Sequence, residues 1–226
     1  MNETATGTHT IRDKGGRVLT NAKVQLIFWG DWNNSSLNPS KDKIVAATQN
    51  IINSNYYSKL SQYRGVQKPT YLGSVINNIS PLPTTFEDSD ITEAIGHSIK
   101  EGSVPDFRSF SNGEIIYIVI PTPGHESTDR DNDAFHANFK YKGNDKGVYA
   151  VLYSWEDDEG KDIEPITRAL AHEIAEACTN PGPKAAFIGP DDEEIADSCE
   201  DISDTVNGVI VEGYWSDLDG DCVIPK

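Results

Sequence analysis

The chain has 226 residues, 19 basic and 36 acidic, for a formal net charge of −17. That length suits one domain with a sizeable core, and 37% hydrophobic residues with several aromatic-rich runs exclude a disordered chain. The negative charge excludes nucleic acid and anionic membrane surfaces as natural partners, and no apolar run approaches the ~18 residues of a spanning helix, so membrane insertion is not expected.

Asn2 to Thr10 is polar and lacks the apolar segment of a signal peptide, as would also hold for a mature secreted chain. Residues 1–22 read as a flexible arm or a first edge strand. Lys23 to Trp29 (KVQLIFW), bounded by Gly30, reads as a buried strand. From Ser40 onward Ile44, Ala47, Ile51 and Ile52 recur at helical spacing, with Ser40 or Asn38 as the cap. Tyr71 to Ile76 is a second strand, followed by a loop at Pro81 and Pro83. Asp88 or Ser89 caps a helix carrying Ile91, Ala94, Ile95 and Ile99, stopped by Gly102. Glu114 to Ile120 (EIIYIVI) is the strongest strand, ended by Pro121–Thr122–Pro123–Gly124. A polar loop is expected to about Lys146, then a strand from Val148 to Trp155. Asp162 to Thr179 is a helix with Pro165 in its first turn, stopped by Asn180–Pro181–Gly182–Pro183. The tail is loop-rich, with one late strand at Val209 to Trp215. With no repeat and no linker, the expectation is a single α/β domain over 1–226, a mixed sheet with flanking helices and an irregular C-terminal third.

The helix at 162–179 contains His172–Glu173–Ile174–Ala175–Glu176. His172 and Glu176 stand one turn apart on one face, the geometry of the H-E-x-x-H motif, whose outer residues bind zinc while the Glu acts as general base. A carboxylate replaces the second His here. Zinc accepts carboxylate oxygen, and the harder ligand set also brings manganese or calcium into consideration. Around the helix, Ile166, Leu170, Ile174 and Ala177 form the apolar stripe and the far side offers Ala171 and Ala175, with Arg168 as the exception, so the helix is expected to be enclosed on most sides. Carboxylates buried there need a metal, a proton or a donor as partner. Glu194 and Asp197, in Glu194–Ile195–Ala196–Asp197, follow at a distance that lets the chain loop back. Glu194 is the expected third ligand and Asp197 the group holding the other nitrogen of His172, and the two roles can be exchanged. An internal hydrogen-bond network at the same residues is the competing explanation.

His125–Glu126–Ser127–Thr128–Asp129 mimics the motif by chance, because the preceding prolines leave no helix to carry it. Two acidic triplets, Asp129, Asp131 and Asp133 and then Asp217, Asp219 and Asp221, alternate like a calcium loop but lack the Gly and Glu that the loop requires at its sixth and twelfth positions. Solvated acidic loops are expected there, with calcium at Asp217, Asp219 and Asp221 as the alternative. His136, between Phe135 and Phe139, is expected to be a packed loop histidine and a spare ligand. The spacing of Cys178, Cys199 and Cys222 fits no zinc ribbon, and Cys199 could pair with Cys222, leaving Cys178 free on its helix.

Ala171-HEIAE-Ala177 followed by Cys178–Thr179–Asn180–Pro181, EIADSCE at Glu194 to Glu200, Val206–Asn207–Gly208 and Tyr214–Trp215–Ser216 together resemble the phosphate-induced protein family, whose plant members are the EXORDIUM-like proteins. VQLIFWGDW (Val24 to Trp32) is similar to that family's early strand, and Phe135–His136 resembles its aromatic–His pair. The resemblance implies an extracellular or cell-wall location and pairing of Cys199 with Cys222. It supplies no activity, and the additional cysteines that plant relatives carry near the aromatic–His pair are absent. The expected function is a metal-dependent hydrolase, zincin-like and acting on peptides, with zinc held by His172, Glu176 and Glu194, Glu173 as general base and Asp197 behind His172. The alternative is a non-catalytic extracellular or cell-wall binding module with a structural metal or hydrogen-bond network at the same residues, in which Trp29, Trp32, Trp155 or Trp215 stacks on polysaccharide.

Overall fold

Apolar runs buried on both faces need cover on both faces, and the flanking helices supply it. The computed structural model describes residues 10–128, 134–153 and 163–226. Its main elements are β1 (Lys23–Trp29), α1 (Lys41–Asn53), β2 (Thr70–Asn77), α2 (Asp88–Lys100), β3 (Ile115–Pro121), β4 (Ala134–Tyr141), β5 (Asn144–Leu152) and α3 (Glu164–Thr179), then β6 (Ser203–Val206), β7 (Val209–Glu212), β8 (Tyr214–Ser216) and β9 (Asp221–Val223). The first five strands form one mixed sheet in the order β2-β1-β3-β5-β4, with β4 alone antiparallel. Alternation along the strands divides the core. Leu26, Phe28, Ile116, Ile118, Val148 and Ala150 face α1 and α3, while Ile27, Trp29, Tyr117, Val119, Tyr149 and Val151 face α2.

Ser40 caps α1, its hydroxyl accepting from the Lys43 amide. The cap of α2 is Glu87, one residue before the expected Asp88 or Ser89, because Asp90 completes a reciprocal capping box with it. The expected polar loop before Lys146 contains β4, and β5 starts at Asn144. Lys142 and Gly143 both take positive φ and close the two strands as a two-residue hairpin. The expected end of β5 at Trp155 lies outside the described residues, as do Asp162 and residues 1–9. In the N-terminal segment Arg12–Asp13 pairs antiparallel with Phe187–Ile188.

The single late strand expected at Val209 to Trp215 is two, β7 and β8. They divide at Gly213, whose amide still donates in register to the Ile202 carbonyl, after which the Trp215 amide turns to the Ile195 carbonyl. β7 lies along α3 and turns back to β6 through Asn207–Gly208, both at positive φ. With the sheet on another side and α1 on a third, α3 is enclosed, and Ala171, Ala175 and Cys178 are buried along with Leu170 and Ile174. Among the described residues no helix is long and apolar enough to cross a membrane.

Cys199 and Cys222, 23 residues apart, are joined by a disulfide, and Cys178 is a buried free thiol. The bond ties the segment after Asp197 to β9. Replacing both half-cystines with serine should lower stability by about 3 kcal/mol, the loop-closure estimate for that length. A thermal midpoint unchanged by the substitution would contradict this.

Candidate metal centre

Helix α3 presents Arg168, His172, Glu173 and Glu176 towards β4, β7 and the loop at 194–197. At i and i+4, His172 Nε2 and Glu176 Oε2 meet at 3.1 Å, and Asp197 Oδ1 reaches the same nitrogen at 3.4 Å. The other nitrogen, Nδ1, lies 3.1 Å from Glu212 Oε1 at the end of β7. Arg168, one turn before His172, grips the second Glu212 oxygen, with Nε at 3.2 Å. Arg168 and Glu212 therefore fix the imidazole plane. Glu176 Oε1 accepts the amides of Ala196 and Asp197 at 3.0 and 3.2 Å, which pins the loop onto the helix. Within the loop, Asp197 Oδ2 accepts the Glu194 amide at 2.6 Å.

A second imidazole enters from β4. His136 Nδ1 lies 3.0 Å from Glu173 Oε2 and 3.9 Å from Glu176 Oε2. Its Nε2 faces the Asn180 carbonyl at 3.3 Å and Glu194 Oε1 at 3.5 Å. Asn180, the cap of α3, also donates its side-chain amide to Glu194 Oε1 at 2.5 Å. Glu173, Glu176 and Glu212 are buried, and His136 and His172 nearly so.

The expected residues thus fall into two groups rather than one. His172, Glu176 and Asp197 form the first, and Glu194 joins His136 and Glu176 in the second. Asp197 sits on the Nε2 side of His172, so the role behind the imidazole belongs to Glu212, which sequence reasoning missed. His136 is not a loop histidine. It lies in a strand whose Phe135, Ala137, Phe139 and Tyr141 face the α2 side of the core, which turns His136 and Asn138 to the α3 side. That alternation was the available signal, whereas Glu212 has none beyond its place after an apolar run.

The proton-holding groups are displaced from their ordinary ranges. Burial pushes the Glu176 carboxyl up to about 7, against the opposing pull of His172. Burial works against a charged His172, yet Glu176, Asp197 and Glu212 outweigh it and hold the imidazole well above its usual range. His136 is likewise raised despite burial, by Glu173 and Glu194. Asp197 is partly buried, which favours its neutral form, but the bond to His172 brings it below the usual carboxylate range.

Two imidazoles here meet five carboxylates, and each imidazolium has only two N–H groups to give. Either trio, His172, Glu176 and Asp197 or His136, Glu176 and Glu194, could hold a cation in place of protons. Around a tetrahedral ion with bonds of about 2.0–2.2 Å, ligand atoms stand roughly 3.3–3.6 Å apart, close to the spacings about His172 Nε2. The donor set of imidazole and carboxylate suits zinc or manganese. The Asp217, Asp219 and Asp221 carboxylates face different partners: Asp217 accepts from the Trp215 indole, Asp219 from Ser216 and Lys59, and Asp221 from the Cys222 amide. The triplet Asp129, Asp131 and Asp133 lies outside the described residues. Compared with known families and curated proteins, the chain matches no family model and no curated sequence.

Chelator-treated protein should lose stability as pH rises. Folded Glu176 keeps its proton up to about 7 while the unfolded carboxyl releases it near 4.5, so stability falls between those values. The contribution of His172 is complete below 6.5 and is lost as pH rises above it. Urea denaturation at about pH 5 and about pH 8 should give the lower midpoint at the higher pH, with a smaller difference in Glu176→Gln. A midpoint that climbs with pH, or a difference unaffected by the substitution, would contradict these assignments.

Proposed function

We propose that the protein is a metal-dependent hydrolase, zincin-like in its centre and acting on peptides. The observation that carries this is the convergence of two carboxylates, Glu176 and Asp197, on one nitrogen of an imidazole whose other nitrogen is held by a third, Glu212. A hydrogen-bond network needs one acceptor per N–H; a metal site needs several anionic ligands on one point and a rigid support behind the imidazole. His172, Glu176 and Asp197 would hold the cation, which when bound supplies a Lewis acid that polarises a carbonyl and acidifies water.

Glu173 is the general base. His136 holds its Oε2, which leaves Oε1 to take a proton from the attacking water and return it to the departing amine as the C–N bond breaks. Arg168 holds Glu212 in place, so that His172 keeps one ring orientation. A mixed sheet followed by a motif-bearing helix agrees with the zincin-like assignment at the level of fold, where function is not decided. For substrate class, β4 is the outer strand of the sheet and carries His136 into the site, so an extended peptide has main-chain hydrogen bonds to gain beside the reacting groups. Membership of the phosphate-induced protein family, and with it an extracellular or cell-wall location, is part of this proposal. The Cys199–Cys222 disulfide supports an oxidising compartment.

A polysaccharide-binding module would present aromatic faces. Trp29 and Trp32 are buried in the core, and the Trp215 indole is engaged by Asp217. Trp155 lies outside the described residues.

Glu173→Gln should reduce hydrolysis of a peptide library by roughly 10²–10⁴-fold while folding and the ion at His172, Glu176 and Asp197 stay in place. Turnover equal to that of the unaltered protein would rule out this mechanism.

A further inference from the structure

We propose that the centre takes two divalent cations and that Glu176 is the carboxylate they share. His172, Glu176 and Asp197 hold the first, and His136, Glu176 and Glu194 hold the second. The inference deepens the metal-centre proposal and rests on it.

Glu176 Oε2 lies between the two imidazoles, 3.1 Å from His172 Nε2 and 3.9 Å from His136 Nδ1. In each trio the ligand atoms lie within 4.8 Å of one another, a span that one ion with bonds of about 2.0–2.2 Å bridges after small side-chain movements. The second trio is no surface cluster. The His136 side chain is 7% exposed and that of Glu176 3%. Around His136 stand the carboxylates of Glu173, Glu176 and Glu194 and the Asn180 carbonyl, all acceptors. Two of them, Glu194 and the carbonyl, face Nε2 together. A single N–H serves one of these well, whereas a cation between Nε2 and Glu194 serves the nitrogen and the carboxylate at once.

Each imidazole is held by carboxylates on both edges: Nδ1 of His136 faces Glu173 and Glu176 and its Nε2 faces Glu194, while Nε2 of His172 faces Glu176 and Asp197 and its Nδ1 is held by Glu212. A carboxylate behind a ligating imidazole fixes its tautomer and orientation. Charge points the same way. Among the described residues, the group Glu173, Glu176, Glu194, Asp197 and Glu212 has one guanidinium paired to it, that of Arg168 on Glu212. Carboxyl groups thus outnumber cationic side chains in a largely buried volume, which favours bound cations. Unbalanced charge in such a volume is costly. Paired ions about 3.5–4 Å apart are an established way to activate water and hold a leaving group.

The test uses the full chain, stripped with chelator and titrated with Zn²⁺, with metal content measured by mass spectrometry after desalting. The unaltered protein should retain two equivalents and His136→Gln one. Because His136 also supports Glu173, Glu194→Gln serves as a second variant at a more exposed position and should likewise retain one. Loaded with Mn²⁺, the unaltered protein should give an exchange-coupled spectrum, and each variant the signal of an isolated ion. One equivalent in the unaltered protein and in both variants, lost in His172→Gln, would overturn the shared site while leaving the hydrolase centre standing. Two equivalents retained in both variants, or two uncoupled ions, would also overturn it. No bound metal in any of them would remove both proposals.

Discussion

A buried carboxylate one turn beyond a histidine sets the terms for the rest of this molecule. Glu176 is 2% exposed, and a carboxyl there must be neutralised or bound. Its Oε1 takes two amides from the loop at 194–197, and its Oε2 faces the imidazoles. That division of labour makes one side chain both the anchor of the C-terminal third and the centre of the site. The loop amides act together with the Asn180 bond to Glu194 and the His172 contact with Asp197 in fixing this loop on α3.

The sheet explains how distant segments meet there. β5 leads towards α3, and its antiparallel partner β4 brings residue 136 over the helix. The C-terminal third then passes α3 twice, first in the loop that Glu176 holds and again in β7 with Glu212. The disulfide ties the end of the first pass to β9. Helix propensity and strand alternation place each side chain on its own element, but only the crossing of these elements makes a site of them. The small residues Ala171 and Ala175 suit a helix wrapped in this way, since they let neighbours approach without voids.

Much of this was legible in the sequence because it is local. β1, β3 and α3 follow from apolar runs and helical spacing, and the enclosure of α3 follows from alanines where a solvated helix would carry charge. The pairing of His172 with Glu176 is a matter of one helical turn. β4 was hidden because a polar residue at every second position reads as a loop when the preceding segment is acidic, although its Phe135, Ala137, Phe139 and Tyr141 alternate cleanly. Glu212 could not be found that way. Its place behind His172 depends on the lateral position of β7 against α3, a non-local fact that no spacing encodes. The division of Glu194 and Asp197 between the two histidines is of the same kind, since it depends on how their loop crosses α3.

The chemistry of this centre depends on whether His172, Glu176 and Asp197 surround an ion or only one another. Crystals grown with zinc and measured on both sides of its absorption edge decide this most directly. An anomalous peak bonded to His172 Nε2 and to carboxylate oxygens of Glu176 and Asp197, with Glu212 still on Nδ1, is the predicted result. A map without a peak there, with the imidazole donating to carboxylates alone, would contradict the metal centre and leave a buried hydrogen-bond network in its place.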